Sequence, residues 1–236
     1  MTDCSVSSVF TAIWAEEFST FTGTRLQLNL STRGLGANKQ SRAFCYECSL
    51  NENTSWAASA FQNSVLSLLD SVVTGRNGIE AQEFSYIDID CASHVSSTPG
   101  CSLNATQSAG RALMGSTVTF YGAGVFSGQV TADDRSLAQL AGAQQQSTGL
   151  NNNNVVLSNR ISNNSSLRVE PGDDGVNTVA SRLMGTTNVS EFSNALLFGG
   201  STVLDGTLNC SSAGDAWVEA GVVFTPGSIT GCEHAP

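Results

Sequence analysis

The stretch WAASAFQNSVLSLLDSVV, residues 56–73, carries the strongest secondary-structure signal in this sequence. Its apolar residues recur at spacings of three and four, which is the period of one face of an α-helix. Gly75 follows at a position typical of a helix end. The stretch therefore predicts a buried helix whose apolar face consists of Ala57, Phe61, Val65, Leu68, Leu69 and Val72.

The segments on either side of this stretch alternate between helical and strand periodicity. Five further helices are predicted, over residues 7–21, 104–114, 131–145, 176–184 and 189–198. Strands are predicted over residues 24–31, 42–49, 83–90, 116–130, 155–161, 166–170, 201–209 and 216–225. Together these elements indicate an α+β fold, with an N-terminal half of mixed helix and strand and a C-terminal half that is mostly β with short helices.

A polar run, QQQSTGLNNNN over residues 144–154, is the best candidate for a domain boundary, on composition alone. It predicts a mixed α/β region over residues 1–146 and a β-rich region over residues 147–236. A chain of 236 residues is also short enough to form one continuous domain.

An internal similarity joins the two regions. The heptapeptide RALMGST at residues 111–117 resembles SRLMGTT at residues 181–187, and Phe126 matches Phe198 further on. An old duplication and a coincidence in a chain rich in Gly, Ser and Thr both account for it.

Charge is sparse in this chain and its balance is acidic. The net charge is −10, only 13% of residues are charged, and the single lysine is Lys39. This balance argues against general affinity for nucleic acids or for anionic membrane surfaces, both of which need clustered cations. No apolar run approaches the length of a membrane span, so no membrane insertion is expected. A neutral polar surface is typical of packed, repeated or secreted proteins.

The seven cysteines indicate disulfides. Cys91 and Cys101 bracket a short loop, and Cys210 and Cys232 bracket the last hairpin-like segment, so both pairs are disulfide candidates in an oxidising compartment. The odd count leaves at least one thiol that is free or bonded to another chain. Seven N-x-[ST] sequons, where about four are expected by chance, favour a secreted history.

Two sets of residues are candidate metal ligands. Cys45 and Cys48, and likewise Cys91 and His94, have the spacing of zinc ligands. Asp88 and Asp90 share one face of a predicted strand and suit calcium or a pair of acid and base groups. Disulfides or buried thiols explain the cysteines equally, and exposed side chains explain the carboxylates.

Catalytic motifs are missing from the sequence. It has no Gly-x-Ser-x-Gly elbow, its one lysine does not follow a glycine as phosphate-binding loops require, and it has two histidines, His94 and His234. We therefore predict no catalytic residue and no cofactor. A hydrolase that uses carboxylates or a metal is the least favoured class.

Two short segments resemble a known family. Val9-Phe10 ahead of Trp14-Ala15-Glu16 is similar to the N-terminal pattern of rod-shaped, tobacco-mosaic-like virus coat proteins. The stretch from Asn63 to Leu66, followed by GRN at residues 75–77, resembles their RNA-side helix and loop. The resemblance spans about twenty residues, and the last hundred residues have no counterpart in that family. It implies that Arg76 lies at bound RNA.

These observations favour a self-assembling structural subunit, such as a virion coat protein or a surface or extracellular filament subunit. Its expected partner is itself, with nucleic acid as a partner only in a virion coat. The expected location is extracellular or in a virion. The alternative is a secreted extracellular binding module.

Overall fold

The structure is a computed structural model that describes residues 1–7, 10–29, 31–91, 102–122, 124–146, 158–173, 178–225, 227–232 and 234–235. Within these ranges the regular elements are all β-strands, and every strand pair but one is parallel. The chain coils repeatedly, and each turn of the coil adds a strand to a smaller sheet and one or two strands to a larger sheet. The fold is a parallel β-solenoid, and the predicted α+β class is wrong.

The smaller sheet has ten strands, which stack in chain order from one end of the solenoid to the other. They are β3 (Thr20–Thr24), β6 (Arg42–Tyr46), β8 (Val65–Leu69), β10 (Tyr86–Asp90), β12 (Thr117–Tyr121), β14 (Leu137–Ala141), β17 (Ser166–Glu170), β21 (Asn194–Leu197), β23 (Asp215–Val218) and β26 (His234–Ala235).

The larger sheet has fourteen strands. They are β1 (Ser5–Ser7), β2 (Thr11–Ala15), β4 (Gln27–Asn29), β5 (Arg33–Ala37), β7 (Ser49–Ala60), β9 (Val72–Ala81), β11 (Ser102–Leu113), β13 (Val125–Asp133), β15 (Gln144–Gln146), β16 (Ser158–Ile161), β20 (Ser181–Val189), β22 (Thr202–Cys210), β24 (Val223–Phe224) and β25 (Ser228–Thr230). A separate antiparallel pair, β18 (Gly172–Asp173) with β19 (Thr178–Val179), projects between β17 and β20.

The core lies between the two sheets and is built from stacked rows of small and branched side chains. One row, from the smaller sheet, joins Leu66, Ile87 and Val118 in successive strands, and all three are fully buried. Since parallel strands place equivalent residues about 4.8 Å apart, each row is a continuous apolar column along the solenoid. Alternate residues point outward, so the apolar period within a strand is two.

The first eight strands of the smaller sheet, β3 to β21, are each preceded by a corner and a serine, which is buried in every case but Ser19. These serines form a ladder in which the backbone N–H of one donates to the Oγ of the next, at 3.0–3.2 Å. The ladder contains Ser19, Ser41, Ser64, Ser85, Ser116, Ser136, Ser165 and Ser193. Backbone groups that turn into the interior at the corners thereby keep hydrogen-bond partners.

The predicted helix over residues 56–73 is wrong because its period fits two strands and a corner equally well. Inside the solenoid, Ala58 and Ala60 of β7 and then Leu66 and Leu68 of β8 are buried at a spacing of two. Gln62 and Asn63 turn the corner between them, with φ of +55° and +58°. The predicted stripe mixes inward residues, Ala57 and Leu68, with residues that point outward, Val65, Leu69 and Val72.

The other predicted helices are strands as well. Residues 7–21 hold β2 and the start of β3, residues 104–114 lie in β11, and residues 131–145 run from the end of β13 through β14 into β15. The described part of 176–184 belongs to β19 and β20, and 189–198 contains β21. Among the described residues, no helix is long and apolar enough to cross a membrane.

The run predicted as a domain boundary, residues 144–154, begins in β15, and the rest of it falls in residues 147–157, which lie outside the described ranges. The larger sheet continues past it, because β13 pairs with β16 and β15 pairs with β20. The two similar heptapeptides occupy different parts of the coil. Residues 111–117 run from β11 through a corner into β12, whereas residues 181–187 lie within one strand, β20. The structural repeat is therefore a single coil.

Candidate binding groove

A groove of about 780 Å³ opens on the outer face of the larger sheet. It forms where the long strands β7, β9 and β11 lose their regular register, between Leu50 and Trp56 in β7 and between Ala105 and Ser108 in β11. Such irregularities bend a strand and re-aim its side chains. Here they raise Thr106 and Gln107 as one wall of the groove.

Two rows of outward side chains line the groove floor. The first runs along the solenoid axis through Trp56, Asn77, Ser108 and Gln129. From β7 to β16 there are four strand steps, so the groove is about 19 Å long. The second row passes through Arg111, Thr131 and Arg160 in β11, β13 and β16.

Arg111 is held in place by a carboxylate beneath it. Its Nη1 lies 3.5 Å from Oε1 of Glu80, whose side chain is only 5% exposed, while the arginine is 43% exposed. Burial raises the pKa of Glu80, against the opposing effects of a hydrogen bond with Gln82 and the positive charges of Arg111 and Arg33. The ion pair fixes the arginine at the groove floor.

Arg160 is held by a second chain of polar contacts. Its Nε donates to Oγ of Ser162 at 3.1 Å, and that hydroxyl donates to Oδ1 of Asp133 at 2.9 Å. The same Oδ1 accepts from Nδ2 of Asn163 at 2.6 Å. Asp133 therefore acts mainly as an anchor for its neighbours at this end of the groove.

Arg76, the residue predicted at RNA, lies beside the groove wall. Its Nε donates to Oε1 of Gln107 at 2.8 Å. In the described part of the chain, Arg76, Arg111 and Arg160 each use one nitrogen atom in a polar contact. The remaining guanidinium N–H groups of all three are available to a ligand. Two of the ten cations of an acidic chain thus line the groove, and a third, Arg76, lies beside it.

The cysteines predicted as metal ligands or disulfides occupy four places. Cys45 and Cys48 form a disulfide, because the chain turns a corner after Tyr46 and directs both side chains into the core. Cys210 and Cys232 form another, and Cys91 is also disulfide-bonded. Cys101 and His94 lie outside the described residues. Cys4, half-buried in the first coil, is a free thiol.

Asp88 and Asp90 lie on the outer face of the smaller sheet, on the other side of the solenoid from the groove. Burial raises the pKa of Asp88 to about 6; a hydrogen bond from Ser67 Oγ, 2.6 Å away, opposes the shift and the charge of Asp90 adds to it. No group of three or more His, Cys, Asp or Glu side chains placed to hold a metal occurs among the residues the structure describes.

Sequence reasoning missed most of the groove. Arg111, Thr131 and Arg160 are separated by 20 and 29 positions and become neighbours only through stacking of coils. The signal that identifies coils is the corner serine followed by an alternating pentapeptide, as in Ser64 before VLSLL and Ser85 before YIDID. Aligning the chain on these serines brings the groove residues into one column.

No family model matches this chain, and neither a curated protein nor a solved structure does. The fold and its disulfides are compatible with a structural or extracellular repeat protein. Disulfides form and persist in oxidising compartments.

Proposed function

We propose that this chain is a structural subunit of an extracellular assembly, such as a surface filament or a virion coat. Copies of the chain associate with one another through the outer face of the smaller sheet. The observation that carries the proposal is the set of exposed apolar and aromatic side chains on that face. They recur in most of its strands, beside outward charges at Arg42, Asp88, Asp90, Arg168, Glu170 and Asp215.

Outward positions on the smaller sheet carry many large apolar side chains. Three aromatic residues there are well exposed: Tyr46 at 42%, Tyr86 at 38% and Trp217 at 47%. Partly exposed neighbours extend the patch over most strands of the sheet: Phe44, Val65, Leu69, Tyr121, Leu137 and Leu196. Extended exposed apolar patches on soluble proteins mark interaction surfaces.

The larger sheet presents hydrogen-bonded polar rows at comparable positions. Nδ2 of Asn51 donates to Oδ1 of Asn29 at 3.1 Å, and Oγ1 of Thr74 donates to Oδ1 of Asn51 at 3.0 Å. Further along, Nδ2 of Asn209 contacts Oδ1 of Asn188 at 3.5 Å. The side chains in these rows hydrogen-bond to one another. The outer face of the larger sheet is therefore less suited to burial against a partner than the outer face of the smaller sheet.

The area of the whole outer face of the smaller sheet, of which the apolar side chains form a part, is large enough for a stable complex. Ten stacked strands span about 43 Å, and five-residue strands are about 17 Å long, which gives roughly 700 Å² per copy. Two such faces bury about 1,400 Å², within the range of about 1,200–2,000 Å² that specific interfaces bury. A second copy of the chain is therefore a sufficient partner.

The test compares two double variants by sedimentation velocity over a concentration series. Leu137→Lys with Leu196→Lys places charges on the smaller sheet, and Val72→Lys with Val203→Lys places the same charges at outward positions of the larger sheet. We expect the first pair to raise the dissociation constant at least about 100-fold, since lysines at the centre of an interface oppose its burial. The second pair should leave association unchanged.

Sedimentation of the unmodified chain as a 24.5 kDa monomer at every concentration would contradict the proposal. Equal weakening by both double variants would also contradict it, because the smaller sheet would then have no special role. Negative-stain microscopy of native material distinguishes fibres from shells. Copurifying nucleic acid would favour a virion coat among the assemblies.

A further inference from the structure

We propose that the groove on the larger sheet binds an acidic polysaccharide, with carboxylate or sulfate groups held by Arg111 and Arg160. This binding site lies on the other sheet from the proposed association face and does not depend on association. The inference rests on the shape of the groove, on the chemistry of its lining and on the position of its charges.

The groove suits an extended chain better than a compact molecule. It is an open trough about 19 Å long, lined from Trp56 at one end to Arg160 and Asp133 at the other. Small-molecule sites are usually enclosed and mostly apolar. An open trough with a polar floor makes repeated contacts with successive units of a polymer.

The uncharged lining suits a ligand rich in hydroxyl groups. Asn77, Gln107 and Gln129 supply amide groups that both donate and accept, and Thr131 and Ser108 supply hydroxyls. Trp56 is only 8% exposed, so it offers the rim of an indole rather than a broad stacking platform. A sugar ring, with polar edges and an apolar face, matches this combination.

The positions of Arg111 and Arg160 favour a ligand whose anionic groups are spaced apart along a chain. Arg111 and Arg160 lie two strand steps apart in one row, so their Cα atoms are about 10 Å from each other. Each is anchored through one nitrogen and presents its remaining N–H donors in the planar geometry that binds carboxylate or sulfate. The anions of an acidic polysaccharide, which recur at sugar-unit intervals, fit two separated cations.

A single-stranded nucleic acid fits the groove less well. Such ligands need a basic channel and several aromatic side chains on which bases stack. The groove offers one mostly buried tryptophan, and the carboxylates of Asp133 and Glu80 lie among its cations. The groove lining thus lacks the aromatic platform that bases need, whereas a sugar polymer does not need one.

Three ligands of matched backbone test the proposal by isothermal titration calorimetry: dextran, carboxymethyl dextran and dextran sulfate. Oligo(dT) serves as the nucleic-acid ligand. We expect the protein to bind both charged dextrans at least about tenfold more tightly than dextran, because hydrogen bonds between a guanidinium and an anion are stronger than those to a neutral hydroxyl. Tighter binding of oligo(dT) than of the charged dextrans would overturn the proposal, as would absence of binding to them.

Two groove variants and one control localise the binding. Arg160→Gln removes a charge whose tether is a serine hydroxyl, and Thr131→Glu adds an anion at the centre of the same row. Arg111 is not substituted, because its loss would leave the buried Glu80 carboxylate without its positively charged partner. Arg42→Gln removes an exposed arginine from the smaller sheet.

We expect Arg160→Gln and Thr131→Glu each to weaken binding of the charged dextrans by about tenfold or more while thermal unfolding stays unchanged. Arg42→Gln should leave binding unchanged. Equal effects of Arg42→Gln and Arg160→Gln would show diffuse charge attraction and overturn the site. The same titration on the Leu137→Lys, Leu196→Lys double variant separates this proposal from association, because binding should be retained there.

Discussion

Three corners of the solenoid place a phenylalanine in an unusual backbone conformation. The tripeptide Glu-Phe-Ser occurs at residues 17–19, 83–85 and 191–193, and in each copy both Glu and Phe have positive φ. Left-handed conformations cost bulky L-residues about 1–2 kcal/mol. The rings are nevertheless exposed: Phe18 at 75%, Phe84 at 67% and Phe192 at 73%.

These corners explain why the sequence predicts a helix where the chain turns a corner. Asn63, Asn164 and Gly115 turn other corners, and such residues are expected at positive φ. Glu and Phe are not residues typical of turns, so the sequence predicts a helix over residues 7–21 that runs across the corner at residues 17–18. The ring of Phe84 lies over Gly115 of the next coil, where an added Cβ would be 2.7 Å from it. Packing between coils, which propensity does not register, holds these residues in place.

Asp88 makes folding stability depend on pH. Its pKa is raised from 3.8 to about 6 in the folded chain, mainly by burial. The folded state therefore binds the proton more tightly, so the contribution of Asp88 to stability is greatest below about pH 4 and is lost as the pH rises through about 6. We expect Asp88→Asn to remove this loss, stabilising the protein on the order of 1 kcal/mol near pH 7.5 and having little effect near pH 4.

Urea unfolding at both pH values measures this effect. Glu191→Gln, a neutralisation at an exposed corner, is the matched control and should leave the difference in stability between the two pH values in place. An Asp88→Asn variant that loses stability at neutral pH would show that the ionised carboxylate, through its hydrogen bond from Ser67, is a net stabilising group.

At the level of elements, the sequence predicted strands where apolar alternation stood alone. The predicted strand over 166–170 coincides with β17, and the one over 83–90 contains β10. Several of the predicted helices, though not the one over 104–114, span a strand, a corner and the next strand, whose apolar residues together fall three or four apart. Residues 56–73 are the clearest case, because Ala57 and Phe61 flank the corner and lengthen the apparent stripe. The structural repeat of this chain is one coil. One coil is longer than the window of about 11–18 residues over which helix and strand periodicities are compared, so the repeat is not seen in such a window.

The serine ladder predicts a sharp difference between two adjacent serines. Oγ of Ser165 accepts from the buried N–H of Ser136, whereas Ser166 points outward from β17. We expect Ser165→Ala to destabilise the fold by about 1–3 kcal/mol, because the N–H of Ser136 loses its acceptor in the interior. Ser166→Ala should change stability by less than about 0.5 kcal/mol. Chemical denaturation of both variants, produced without glycosylation, makes the comparison, and equal effects would contradict a structural role for the ladder.

A buried polar network joins the coils on either side of residues 147–157. Oδ1 of Asn159 accepts from the N–H of Val130 at 2.9 Å and from Nε2 of Gln145 at 3.0 Å, and its Nδ2 donates to Oγ1 of Thr187 at 3.1 Å. Asn159 and Gln145 are fully buried. The network thus stands in the core where the neighbouring coils have apolar rows.

We expect Asn159→Ala to cost about 2–5 kcal/mol, because at least two buried donors lose their acceptor at once. The exposed Asn188, in the adjacent strand, provides the control Asn188→Ala, for which little change is expected. Thermal unfolding of the two variants measures the difference. Similar melting temperatures would mean that water or a rearranged Gln145 replaces the lost contacts.

At the scale of the whole molecule, stacking of coils separates two surfaces with different chemistry. The apolar face of the smaller sheet and the polar groove of the larger sheet are both built from residues far apart in sequence. Composition predicts a neutral polar surface and self-association. It does not indicate which residues form the face of the smaller sheet or the groove of the larger sheet. Arg76 was singled out by resemblance to helical coat proteins, and it lies beside the groove on a strand, β9, rather than on a helix.

The disulfide between Cys210 and Cys232 ties the last coils of the described chain together across 22 residues. We expect the double variant Cys210→Ala, Cys232→Ala to lose about 2–4 kcal/mol, chiefly through greater freedom of the unfolded chain. Hydrogen exchange should show the loss of protection concentrated in β23, β24 and β25. Uniform loss of protection along the solenoid would contradict a local role.

Small-angle X-ray scattering over a concentration series tests the central claim most directly, because it reports mass, length and cross-section together. A solenoid that pairs through its smaller sheet should thicken in cross-section on association while its length stays near that of the Leu137→Lys, Leu196→Lys variant. Scattering from a 24.5 kDa monomer at all concentrations, or growth in length at constant cross-section, would contradict the account.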